Sequence, residues 1–290
     1  MNEPLMLDQV KIDDYLLVAV DVRPCSFVTV PAEFPNGLKM GKQIDELCRQ
    51  DYQELMNADI YRKAELILKL RNKIREAFKI VVCGSETYRA YSKWAEKLSL
   101  QTYEAEVRPS VHELYLFKNL KTRKELKKLT KTRHNLREKI LKSAAHPQSK
   151  ICLAYPEEGS PEYLTYVGKL LGYPPCCVDS YLNDRLRGTP TVEHRVSEQI
   201  KELKRRAEPS TFAFFVKDFF PCSPGCENAI EIGARAHSVL GSMSPRLGEI
   251  YLNCTKSNMR TAERYPELIK LSKKGLEEQA ARLRGQTDGN

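Results

Sequence analysis

The sequence predicts an α/β fold, with α+β as its variant: a small α/β core in the N-terminal half and a helix-rich, cysteine-containing C-terminal half. Between about residues 75 and 160, short β-branched and aromatic runs alternate with stretches of helical periodicity. Beyond Pro156 the strand-like runs give way to capped helices and Pro-framed cysteines. The 290 residues, 41% hydrophobic and 29% charged, supply cores for one large or two small domains. The pattern divides as 1–75, 76–158 and 159–290.

In order along the chain, residues 1–45 mix the apolar runs Tyr15 to Val22 and Phe27 to Val30 with Pro24, Pro31, Pro35 and Gly37, which reads as a short strand pair or an extended leader. From Lys42 to Ala77 the apolar positions Ile44, Leu47, Leu55, Ile60, Leu66, Leu70 and Ile74 recur at helical spacing, giving two helices joined near Asn57 to Asp59. Lys79 to Gly84 reads as a buried strand, and Ser85 as the N-cap of a helix through Tyr88, Tyr91 and Trp94. Gln101 to Val107 and His112 to Phe117 are further strands, and Lys150 to Tyr155 is a fourth. A strongly basic helix over 118–142 lies between the last two.

In the C-terminal half, Ser160-Pro161-Glu162 opens a helix that stops at Gly172, and Pro174-Pro175 starts the next over Cys176 to Leu182. Val192, Val196, Ile200 and Leu203 line one face of a third helix. The aromatic run Phe212 to Phe220 reads as core, and helices follow from Glu227 to Leu240 and from Pro245 to Leu283.

The sharpest chemical signal is in this half. Cys176 and Cys177 stand side by side in Leu-Gly-Tyr-Pro-Pro-Cys-Cys-Val-Asp-Ser-Tyr (Leu171 to Tyr181), and Cys222 and Cys226 follow in Pro-Cys-Ser-Pro-Gly-Cys-Glu. Two thiolate pairs from separate segments are how proteins build four-cysteine zinc sites and hold iron-sulfur clusters. The four read as metal ligands. The vicinal pair favours a cluster, because adjacent side chains diverging as in a strand reach neighbouring irons more easily than one zinc ion. Tyr173, Asp179, Glu227 and His237 are the nearby polar residues for a fourth ligand or an outer sphere, and Cys152 and Cys254 are further thiols. Nine cysteines, an odd and unevenly spaced set, fit reduced thiols and a metal better than disulfides. Cys83, ahead of the Ser85 cap, is a nucleophile candidate if the helix dipole lowers its pKa.

These two cysteine elements resemble those of an uncharacterised, mostly archaeal family known as a domain of unknown function, marked by Gly-Tyr-Pro-x-Cys-Cys and a later Pro-Cys-x3-Cys. The likeness covers about residues 168–235. It implies that Cys176, Cys177, Cys222 and Cys226 are the functional residues, and it supplies no activity.

Charge adds a second signal. Between Lys118 and Lys142 stand eleven Lys/Arg against Glu125 and Glu138, so one element carries the whole net charge of +9. Lys121, Arg123, Lys124, Lys127, Lys128, Lys131, Arg133 and Arg137 are read as a nucleic-acid-binding set, extended by Lys204, Arg205 and Arg206. No apolar run reaches the roughly 20 residues of a bilayer span and no signal peptide opens the chain, so a cytoplasmic protein is expected. The expectation is a Cys-ligated metalloprotein, with an iron-sulfur cluster ahead of zinc, that binds RNA, tRNA first, with RNA modification as the activity it would extend to. The alternatives are a non-catalytic nucleic-acid or ribosome-binding protein with structural zinc, and a redox or sulfur-handling enzyme of small thiols. No catalytic residue follows from the sequence.

Overall fold

The computed structural model describes residues 4–143, 155–187 and 191–287. Two compact units are present, one within Met1–Ser143 plus Leu170–Gly172, the other within Ala144–Lys169 and Tyr173–Asn290.

The first unit is built on a three-stranded antiparallel sheet in the order β1-β3-β2, with β1 Cys25–Val30, β2 Gln101–Arg108 and β3 Val111–Phe117. The register pairs Cys25 with Phe117 on one side of β3 and Gln101 with Phe117 on the other. Central position explains why Leu114 to Phe117 are all buried. The sequence-predicted strands Gln101 to Val107 and His112 to Phe117 are thus present, and Phe27 to Val30 lies in β1. The predicted strand Lys150 to Tyr155 lies almost wholly outside the described residues.

Two predicted extended runs are helical instead. Tyr15 to Val22 falls largely in a continuous helical segment made of α1 (Asp8–Val10), a wider π-helical stretch (Lys11–Leu16) and α2 (Leu17–Ala19). Ile12, Tyr15, Leu17 and Val18 are buried there, and a short apolar run buried on all sides has no periodicity to tell helix from strand. Lys79 to Gly84 is not a strand either: only Val82 is buried there, and a run this short has too few positions to tell helix from strand. After α3 (Gly37–Leu47) and α4 (Arg49–Asn57), the helix α5 (Ile60–Phe78), capped by Asp59 accepting from the Tyr61 and Arg62 amides, runs on as a π-helical turn, Lys79–Cys83. Gly84 is its C-cap, and a Cβ there would lie 2.7 Å from the Ile80 carbonyl oxygen. The Ser85 cap is as read: its hydroxyl accepts from Tyr88 N at 3.0 Å and starts α6 (Glu86–Lys97).

The basic helix is α7 (Leu120–Ser143). Asn119 Oδ1 accepts from Thr122 N at 2.8 Å, an N-cap bond that opens it. Leu126 and Leu129 are fully buried, and Tyr103 Oη on β2 meets Thr130 Oγ1 at 3.1 Å, which docks the helix on the sheet.

The second unit is helical: α8 (Pro161–Leu170), α9 (Pro175–Arg187), α10 (Val192–Lys204), α11 (Glu227–Met243) and α12 (Pro245–Thr287). What reads as several C-terminal helices is one, with Pro266 inside it. Val192, Val196, Ile200, Ala213, Phe214, Met259 and Ala262 form a core cluster. Within the aromatic run, Phe214 and Phe215 are fully buried, and their carbonyls accept from Asn258 Nδ2 at 3.1 Å and Tyr251 Oη at 3.0 Å. That core fixes the start of the loop bearing Cys222 and Cys226.

Candidate metal centre

Each cysteine pair sits at a helix N-terminus. Pro174 and Pro175 restrict the backbone ahead of α9, so Cys176 and Cys177 occupy its first turn, where the side chains of adjacent residues are splayed by a helical step instead of pointing to opposite faces. In the second segment Cys226 is the N-cap of α11, and its amide donates to Ser223 O at 3.0 Å, which closes the Cys222 to Cys226 turn. The positive ends of two helix dipoles therefore lie where thiolate charge would collect.

The four sulfurs converge, all within 4.8 Å of one another. Cys176 Sγ lies 4.0 Å from Cys177 Sγ and 3.7 Å from Cys226 Sγ, and Cys177 Sγ lies 3.6 Å from Cys226 Sγ. Cys177 and Cys226 are buried, while Cys176 and Cys222 are half-buried. Two donors point at the sulfurs: the Cys222 amide N lies 3.4 Å from Cys177 Sγ and Asn228 Nδ2 lies 3.4 Å from Cys176 Sγ. As free thiols they differ. Burial pushes Cys177 well above its ordinary value and Cys222 up to about 11. Burial also pushes Cys176 upward, but the Asn228 amide and the neighbouring thiols outweigh it and hold this thiol below the usual range. The four cysteines could hold a metal ion.

No other His, Cys or acid joins this group among the described residues. Asp179 and Glu227 are exposed on their helices, Tyr173 packs its ring on Phe219 at 4.9 Å, and the His237 ring stands 5.4 Å from that of Phe212. Cys254 is buried outside the group, and Cys152 lies outside the described residues. The nucleophile reading of Cys83 is not supported by its surroundings, because burial first and the Glu104 carboxylate second push that thiol above its ordinary value. The amide of Asn228 was missed by sequence reasoning, although its place one residue into the helix after Cys226 is a usable signal. Arg195 and Asp184, described below, give none from spacing alone.

The eight basic residues separate into two groups. Lys121, Arg123, Lys124, Lys127, Lys128 and Lys131 are exposed on α7. Arg133 is buried and its Nη2 donates to Glu113 Oε2 at 2.6 Å, and Arg137 turns inward to donate to the Val107 carbonyl. Lys204 and Arg206, on the other unit, already hold Glu263 at 2.6 Å and Glu202 at 3.0 Å.

Residues 100–241 match the model of a family described as a protein of unknown function (DUF483), a span that includes all four cysteines. Over 70 residues the chain is 40% identical to Uncharacterized protein MJ1106 of Methanocaldococcus jannaschii, covering 23% of this chain and 36% of that protein. The chain thus matches about a third of that relative's length. Together they support an uncharacterised, archaeal-like domain family. No solved structure matches. No helix among the described residues is long and apolar enough to cross a membrane.

Proposed function

We propose that this is a nucleic-acid-binding protein of the cytoplasm whose second unit is cross-linked by one zinc ion on Cys176, Cys177, Cys222 and Cys226. The sulfur spacing carries the metal half of this reading. Four thiolates about 2.3 Å from one tetrahedral ion stand about 3.8 Å apart. The three separations of 3.6, 3.7 and 4.0 Å match that edge. In a cubane each thiolate sits on a different iron and the sulfurs spread wider than the 4.8 Å limit found here. A two-iron cluster takes two thiolates per iron, so of any three thiolates at least two lie on different irons. Cys176, Cys177 and Cys226 leave no such wider pair. With four protein ligands no position stays open for a reacting water, which favours a structural role. Bound there, the ion joins two segments whose nearer cysteines, Cys177 and Cys222, stand 45 positions apart in sequence.

The partner half rests on α7. Lys121, Arg123, Lys124, Lys127, Lys131 and Lys139 are exposed and make no ion pair among the described residues. They are strung over about 27 Å of helix. The cations of α10 differ, because Lys201 and Lys204 each hold an acid. From Leu120 to Lys139 the helix has no Phe, Tyr or Trp. A base-stacking platform needs such rings, so the contact is with phosphates and is indifferent to sequence. RNA is the expected form.

Metal analysis after anaerobic purification tests the first half: a colourless protein with one equivalent of zinc is expected. A brown protein with acid-labile sulfide overturns the single ion in favour of a cluster. Fluorescence anisotropy with labelled RNA and DNA at low salt tests the second half, and absence of binding to either refutes it.

A further inference from the structure

We propose that Arg195, held by Asp184, is the positioning residue that keeps the two cysteine pairs at metal-binding distance; this rests on the metal reading above. The two pairs come from different segments, and no covalent link sets the gap between them. Arg195 spans it. From α10 its Nε donates to Asp184 Oδ2 at 2.6 Å, on the helix that begins with Cys176 and Cys177. Its Nη1 donates to the Cys222 carbonyl at 2.7 Å and, with Nη2, to the Pro221 carbonyl at 3.3 Å. Gln199 Oε1 accepts from Nη1 at 2.9 Å and steadies the guanidinium.

Geometry gives this contact its reach. Asp184 stands two turns along α9 from the cysteines, so a rigid helix transmits its position to their sulfurs. Pro221 and Cys222 lie in a loop outside the helices, where the guanidinium supplies the donors their carbonyls would otherwise lack. Asp184 and Arg195 keep only 12% and 15% side-chain exposure, so the pair is little screened. The planar fork of Arg is what bonds a carboxylate and two carbonyls at once; a Lys ammonium is a point charge on a flexible stem. The guanidinium also sets a positive charge one residue's backbone from a site that is net negative when four thiolates hold a divalent ion.

Removing such outer-sphere partners costs metal sites about 10–100-fold in affinity. The test compares wild type with Arg195→Gln, Arg195→Lys and Asp184→Asn. Zinc affinity is read by competition with a chromophoric chelator, ligand geometry by the visible spectrum of the cobalt-substituted protein, and fold by far-UV circular dichroism. Expected are unchanged helicity, a 10–100-fold loss in Arg195→Gln and Asp184→Asn, a smaller loss in Arg195→Lys, and a cobalt spectrum shifted from that of wild type. If the variants bind zinc as tightly as wild type with the same cobalt spectrum, the clamp is wrong and the metal reading stands. If wild type itself binds neither ion, the metal reading fails and the clamp with it. Should Arg195→Gln not fold, the other two variants decide by the same readouts.

Discussion

Replacing Lys121, Lys124, Lys127 and Lys131 by Gln removes four of the six cations on α7 that make no ion pair among the described residues. Each cation on a duplex phosphate contributes about −0.9 to the slope of log K against log salt. Six contacts therefore set a slope of about −5, and two leave about −2. Doubling the salt from 0.1 to 0.2 M then weakens wild-type binding about 40-fold and the variant about 3-fold. The assay is anisotropy of a labelled duplex across a salt series, with an unrelated duplex sequence beside it. Gln keeps the helix propensity of Lys, and exposed substitutions of this kind stay within about 0.5 kcal/mol of wild-type stability. Lost binding in a folded variant is thus a statement about charge. If the slope of the variant equals that of wild type, or if affinity depends on base sequence more than on salt, the phosphate reading of α7 is refuted.

Four further outcomes are expected. Cys177→Ser, which removes a buried ligand, should lose the metal and melt at the temperature of chelator-treated wild type. With metal about 1,000-fold above its Kd the coupling is worth about 4 kcal/mol, a fall on the order of 10 °C for a unit of this size. Because the ion needs thiolates and burial pushes Cys177 and Cys222 upward, zinc binding should release protons and weaken as pH falls, which a pH-indicator titration reads. In the first unit, Arg75 donates through Nε to Glu106 Oε2 and through Nη2 to Oε1, and holds that carboxyl below the ordinary range. That stability is present above about pH 4.3, the ordinary Glu value, and is lost as pH falls through the lowered one. Arg75→Gln should cost at most about 1 kcal/mol at neutral pH, since the pair is a third exposed, with the gap closing in acid in pH-dependent urea melts. Finally, a Cβ at Gly233 would lie 2.3 Å from the Phe212 carbonyl oxygen, so Gly233→Ala should destabilise the second unit by about 1–3 kcal/mol in urea. Gly241→Ala, which meets nothing within 4 Å, is the control and should be neutral or stabilising.

Where local chemistry decides structure, these elements were legible. Ser85 caps the helix it precedes, and β2 and β3 stand where β-branched and aromatic residues cluster. What misled was the shortness of two apolar runs. Tyr15 to Val18 and Lys79 to Val82 are short apolar runs, and both fold as wide helical turns because their neighbours, not their own period, determine the conformation. Arg133 is the matching case on the surface. It stands among lysines of the same charge, yet Glu113, twenty residues earlier on β3, draws it into the interior.

The cysteine cluster was legible in its residues and not in its geometry, and the vicinal pair shows why. Adjacent cysteines favour a cluster only if they diverge as in a strand. In the first turn of α9 the pair is splayed by one helical step, which leaves the sulfurs 4.0 Å apart, close to the edge of a tetrahedron about a single ion. The two prolines that precede them are what put the pair there, since Pro is favoured in the first turn and ends whatever came before. Pro174 and Pro175 were thus a signal about how close the two sulfurs lie as much as about chain direction. The spacing of the second pair carries the same information from the other side. Cys226 as N-cap places its sulfur at the head of α11, and the turn from Cys222 brings the fourth sulfur within 4.8 Å of the rest. The local turn geometry, more than the number of cysteines, therefore sets the sulfur spacing on which the single-ion proposal rests.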